Sequence, residues 1–169
     1  QKIGNSVNYQ PTLLCLVSQS TYNEELFRKL NRNLVLLFTG IQRTAHYIAN
    51  SYVGKLEKEK NNEIKQILNH VNVAEKLLKN NNYDDFGRLL HESWLTKKNL
   101  SNKISNNSID NIYELAIKKG ALGGKLLGAG GGGFLLLYVP YEKQKKFMRY
   151  FSKFVHIPFK FDNLGSKII

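Results

Sequence analysis

The residues best equipped for chemistry start with a glycine-dense run. Gly128, Ala129, Gly130, Gly131, Gly132 and Gly133 follow one another, and with Gly120, Gly123 and Gly124 upstream they gather most of the chain's glycines into one short stretch. Glycine loses more backbone entropy on folding than any other residue, so this density is destabilising unless the positions need unusual φ/ψ values or the close approach of another group. A bare backbone can offer N–H groups to an anion or leave room for a neighbouring loop. Among charged residues, Arg43 follows an apolar run at the first turn of an expected helix. Its planar guanidinium suits a bidentate anion, and an exposed helical arginine is the other reading. His91, Trp94 and Lys98 recur at spacings of three and four, which lets them share a helix face. They fit either a ligand pocket or an ordinary core tryptophan beside a satisfied histidine. Lys125 precedes the glycine run and fits either the pocket or a strand edge.

Two phosphate-loop patterns can be tested against the run. Gly128, Gly130 and Gly133 fit G-x-G-x-x-G, but that fingerprint needs a helix after it, and here Phe134 to Val139 follows as an apolar, strand-like stretch. The pattern G-x-x-x-x-G-K-[ST] fails because Lys119 stands in place of its first glycine and Leu126 follows Lys125. What remains is a strand over Lys125 to Leu127, a glycine turn over Gly128 to Gly133 and a strand over Phe134 to Val139.

The elements that must position these groups can be read in order. Thr12 to Val17 fits a buried strand, and Thr21 to Glu24 fits a capping box ahead of Leu26, Phe27 and Leu30. Asn33 to Thr39 reads as a strand ending at Gly40. Helical periodicity then runs through Ile41, Ala45, Ile48, Tyr52 and Leu56, and again from Ile64 to Leu78. Asn82 is placed to cap a third helix with Asp84 and Asp85 in its first turn, and Ser108 to cap a fourth that stops at Gly120. Past the hairpin, Pro140 opens a helix carrying Phe147, Phe151 and Phe154, and Phe159 and Phe161 flank Lys160 in an alternating strand. Ile168-Ile169 suggests one more short stretch. Helices bunched between strands that meet through a hairpin predict an α+β layer of antiparallel sheet and helices.

The composition narrows the possibilities. A chain of 169 residues with 42% hydrophobic content can bury a core and is expected to form one domain. No apolar run reaches the ~20 residues of a membrane helix, and a single cysteine, Cys15, excludes an internal disulfide. A cytoplasmic protein without a membrane partner is expected. The net charge of +12 suits anionic partners, yet Lys97-Lys98 and Lys145-Lys146 are isolated pairs and no basic block suggests a nucleic-acid arm. A basic α+β module that binds RNA remains the alternative from another class, with no run of strand aromatics in its favour. His46, His70 and His156 are too scattered to suggest a metal site. The chain starts at Gln1 and its only methionine is Met148, which reads as a piece of something longer.

The stretch Lys125-Leu126-Leu127-Gly128-Ala129-Gly130-Gly131-Gly132-Gly133-Phe134 resembles the third motif of the GHMP kinases, roughly K-[LIV]-x-G-A-G-x-G-G and then apolar residues. Many members carry Thr or Ser at the position of Leu127. GGKLLGAGGGGFLL, together with LVLLFTGIQRTAHYI and LLHESWLTKKNLS, is similar to the sugar 1-kinases that act on D-glycero-D-manno-heptose 7-phosphate. Another GHMP kinase, of galactokinase or mevalonate kinase type, is the nearest alternative. The resemblance implies a ferredoxin-like antiparallel sheet backed by helices, and a C-terminal domain of a two-domain, ATP- and Mg²⁺-dependent kinase. The family's nucleotide loop, P-x-x-x-G-L-G-S-S, is not found in these residues. The resemblance therefore assigns the catalytic Asp and the Mg²⁺ ligands to an N-terminal domain that would be this chain's partner, so that the chain alone would be inactive and bind no cofactor. It also implies that Gly128, Ala129, Gly130, Gly131 and Gly132 lie near the phosphates. Arg43, His91, Trp94, Lys98 and Lys125 become candidates for holding a phosphorylated sugar.

Overall fold

The computed structural model describes residues 24–43, 45–55 and 59–161. The strand expected over Thr12 to Val17, the capping Thr21 and the stretch at Ile168-Ile169 lie outside them. The described chain runs α1 (Glu24–Arg32), β1 (Leu34–Phe38), α2 (Ala45–Asn50), a 3-10 turn (Val53–Lys55), α3 (Asn61–Lys79), α4 (Tyr83–Lys98), α5 (Asn107–Lys118), β2 (Gly123–Leu126), β3 (Phe134–Tyr138), α6 (Tyr141–Tyr150) and β4 (Val155–His156).

The sheet order is β2-β3-β1-β4 with every pair antiparallel. This is the split βαβ order of a ferredoxin-like sheet, with a run of helices between β1 and β2 where a minimal version has one. Register explains how two sets of side chains form. Val35 opposite Leu137 and Leu37 opposite Leu135 share a face. They join Leu126, Trp94, Ile109, Ala116, Phe147 and Phe151 in the main core. On the alternate positions, Leu34 and Tyr138 pack with Leu30, Phe86, Leu90 and Leu136. Each fully buried leucine contributes about 1.5–3 kcal/mol, so the pairing is anchored on both faces. Among the described residues, no helix is long and apolar enough to cross a membrane.

Helix α4 lies against β2 and the neighbouring end of β3 at very short range, and two glycines permit it. A Cβ on Gly123 would overlap the Gly87 carbonyl oxygen and stand 2.8 Å from the His91 nitrogen. A Cβ on Gly87 would meet the Tyr138 ring.

Several local expectations are corrected. The helix expected from Ile41 is cut to Ala45–Asn50, because Gly40 takes a left-handed φ of 76° and the Ile41 carbonyl accepts from Gly133 N instead of a helical partner. Asn82 occupies the N-cap position of α4 without a side-chain cap. Ser108 lies inside α5, and the cap is Asn106, whose side-chain oxygen accepts from Ile109 N at 3.1 Å. The segment from Phe159 to Phe161 forms no strand, and Val155–His156 instead pairs with Leu37 and Phe38. Asn106→Ala is expected to lower stability by about 1 kcal/mol, because the cap is lost, whereas Asn106→Asp keeps the acceptor. Chemical denaturation of both variants checks this, with the Asn106→Asp midpoint falling between those of Asn106→Ala and the parent, because the carboxylate keeps the cap but loses the amide donor that reaches the Gly131 carbonyl.

Candidate functional site

The segment joining β2 to β3 is pinned from inside and bare at its tip. Leu127 N donates to the Phe134 carbonyl at 2.8 Å and closes the base of the turn. Gly131 N donates to Ile104 O and Gly133 N to Ile41 O, both at 2.8 Å. The Gly133 carbonyl accepts from both the backbone N and the hydroxyl of Thr39. Gly128, Gly130, Gly131 and Gly133 all have left-handed φ, which explains the glycine density. Gly130, Gly131 and Gly132 are buried against their own domain, while Gly128 is exposed and Ala129 half-buried.

The N–H groups of Gly128, Ala129 and Gly130 have no acceptor among the described residues. Three successive free amides, with left-handed glycines on either side of Ala129, give this turn the donors that an anion-binding backbone concavity needs. Behind it, the Lys97 ammonium donates to the carbonyls of Leu126 (3.1 Å) and Gly128 (2.6 Å). Burial, and then the charge of Lys125, push the Lys97 pKa down to about 8. Burial lowers that of Lys125 as well.

Beside the turn opens a cleft of about 480 Å³ lined by Gln42, Arg43, Tyr47, Lys103, Ser105 and Asn106, with Gly131 also on its wall. Arg43 and Lys103 make it cationic. Arg43 has no hydrogen bond or ion pair among the described residues, so its guanidinium is free to take a ligand. Lys103 donates to the Tyr47 hydroxyl at 2.9 Å and lies 4.2 Å over its ring. That hydrogen bond, followed by the Lys103 charge, lowers the Tyr47 pKa. The Asn106 amide donates to the Gly131 carbonyl at 3.4 Å, so the cap of α5 also braces the glycine turn. Ser105 donates to Asp110, which pairs with Lys98 at 2.7 Å.

The structure therefore brings Arg43 and Gly131 to one cleft and separates the other candidates. Trp94 is fully buried in the core and has no surface with which to meet a ligand, so it leaves the candidate set. His91 is held by the Tyr113 hydroxyl at 2.8 Å and stacks on that ring. Burial raises the Tyr113 pKa, and the Tyr113 hydroxyl donates to the Gly124 carbonyl at 3.3 Å. Lys98 ties α4 to α5 through Asp110. Their helical spacing was legible, but Trp94 turns into the core while Lys98 pairs with α5. Lys97, Lys103 and Asn106 were missed. Lys97 is distinguished from its neighbour Lys98 only by the carbonyls it reaches, and Asn106 sits in what reads as a polar loop. Among the described residues there is no group of three His, Cys, Asp or Glu that could hold a metal ion.

Residues 74–156, from within α3 to the end of β4, match the family described as GHMP kinases C terminal. The chain is 36% identical over 130 residues to a D-glycero-alpha-D-manno-heptose 7-phosphate kinase of Campylobacter jejuni, covering 74% of this chain and 37% of that protein. It is 29% identical to a bifunctional fucokinase/GDP-fucose pyrophosphorylase of Arabidopsis thaliana, over 74% of this chain and 12% of that protein. In fold it is similar to Methanococcus jannaschii mevalonate kinase, with a TM-score of 0.63 and 27% identity over 80% of this chain and 41% of that one. The chain thus spans little more than a third of the length of the bacterial heptose kinase it matches.

Proposed function

The chain carries the C-terminal domain of a GHMP kinase, and from that premise we propose that it is the C-terminal half of an ATP-dependent sugar kinase. Its substrate in this reading is D-glycero-D-manno-heptose 7-phosphate, phosphorylated at the anomeric hydroxyl to give the 1,7-bisphosphate. The similarity to the Campylobacter jejuni enzyme supports the choice of sugar. The observation that carries the reading is the glycine turn, whose amides at Gly128, Ala129 and Gly130 lack acceptors within the described domain.

Phosphoryl transfer asks a protein for positioning and charge neutralisation more than for covalent chemistry, so a domain can contribute without owning the base. ATP supplies the transferred group and Mg²⁺ offsets its charge. Both are assigned mainly to the N-terminal domain, together with the carboxylate that takes the proton of the attacking hydroxyl. The free turn amides fit phosphoryl oxygens, and Arg43 with Lys103 fits the phosphate already on the sugar. Lys125 reinforces the positive field beside the turn.

Arg43→Ala in the full-length enzyme is expected to raise KM for the sugar phosphate roughly 10- to 100-fold, the scale of one lost charge-assisted contact, and to leave KM for ATP unchanged. Steady-state kinetics with each substrate varied in turn measures both. Equal effects on the two constants overturn the assignment of Arg43. Turnover of mevalonate or galactose in preference to the heptose phosphate overturns the choice of substrate.

A further inference from the structure

We propose that Lys97 is a positioning residue of the glycine turn: by holding the Gly128 carbonyl it aims the Ala129 N–H at the oxygens of a bound phosphoryl group. A trans peptide is planar, with its C=O and N–H on opposite edges, so fixing one fixes the other. The same ammonium shows this twice. It takes the Leu126 carbonyl at 3.1 Å, and the N–H of that peptide, on Leu127, points the other way and meets the Phe134 carbonyl at 2.8 Å. It takes the Gly128 carbonyl at 2.6 Å, and the N–H of that peptide, on Ala129, finds no acceptor among the described residues.

Little else holds this peptide. Gly128 is exposed and left-handed, and a Cβ built on it would meet nothing within 4 Å. A glycine with that freedom allows its peptide to rotate unless a polar group ties it down. Lys97 supplies the tie although its charge is poorly placed for stability: the ammonium is half-buried, Lys125 faces it, and no carboxylate pairs with it among the described residues. A group kept there against desolvation and repulsion is explained by the carbonyls it reaches. The inference rests on the kinase reading for the identity of the anion.

The test uses full-length protein labelled with ¹⁵N-glycine and ¹⁵N-alanine, with the magnesium complex of a non-hydrolysable ATP analogue as the probe. In the parent protein the Ala129 amide is expected to shift more than any other turn amide when the analogue is added. Lys97→Met should remove that response and lower kcat at least tenfold, with KM for the sugar phosphate within twofold of the parent's. Lys97→Arg, which keeps donors for both carbonyls, should restore kcat to within about threefold. A Lys97→Met enzyme with the parent's kcat and the parent's Ala129 response overturns the inference and leaves the kinase reading intact. So does a parent Ala129 amide that ignores the analogue while the enzyme turns over, a result that does not depend on any variant folding. Absence of sugar phosphorylation by the parent removes the kinase reading itself, and the inference with it.

Discussion

Gly130→Ala is expected to lower the melting temperature by roughly 6–12 °C, corresponding to about 3 kcal/mol in a domain of this size. Two effects add. Gly130 has a φ of 116°, which a residue with a Cβ adopts at a cost of about 1–2 kcal/mol. The new methyl would also stand 2.8 Å from both the Cα and the carbonyl oxygen of Ile104, so overpacking adds about 1–3 kcal/mol. The obstructing atoms are backbone, and the same Ile104 carbonyl accepts from Gly131 N, so making room breaks the bond that pins the turn. Gly128→Ala provides the contrast: with a φ of 70° and open space around the added atom, it should cost only about 1–2 kcal/mol. Thermal melts of the two variants, followed by circular dichroism, decide the matter. Equal shifts would show that the turn is not seated on Ile104 as described.

Gly123→Ala is expected to be at least as damaging, for a different reason. Its φ is unstrained, so the whole effect comes from contact. A Cβ there overlaps the Gly87 carbonyl oxygen and lies 2.8 Å from His91 N and 3.0 Å from His91 Cβ. Relief requires α4 to move away from β2, and α4 also carries Trp94 into the core and Lys97 to the turn. We expect a loss of about 3 kcal/mol or more, near the upper end for overpacking. Gly54→Ala, in the 3-10 turn with nothing within 4 Å, should stay within about 0.5 kcal/mol of the parent. Urea denaturation of the pair measures the difference, and a Gly123→Ala midpoint matching that of Gly54→Ala would mean that helix and strand are not in close contact.

The correct and the corrected expectations divide along a physical line. The hairpin was legible because glycine density followed by an apolar run is a local signal that no helix produces. The four helices between β1 and β2 were legible for the same reason, since a 3.6-residue period is carried by consecutive residues. The start of α2 was not, because the carbonyl that would have begun a helix at Ile41 is used by Gly133, far along the chain. Phe159 to Phe161 alternates like a strand, yet alternation cannot say which segment lies alongside β1. The backbone of Val155–His156 occupies that edge.

The candidate site divides in the same way. Residue types and spacing alone determined the glycine turn, the α+β class and the place of an arginine just after a strand, because each follows from side-chain chemistry or local backbone preference. Only the tertiary structure decided that Arg43 and Gly131 share a cleft with Lys103 and Asn106, that Trp94 belongs to the core, and that Lys97 rather than Lys98 reaches the turn. Those outcomes depend on where distant segments meet and on which way one helix is rotated, and contacts between segments far apart in sequence leave no periodic trace in either one.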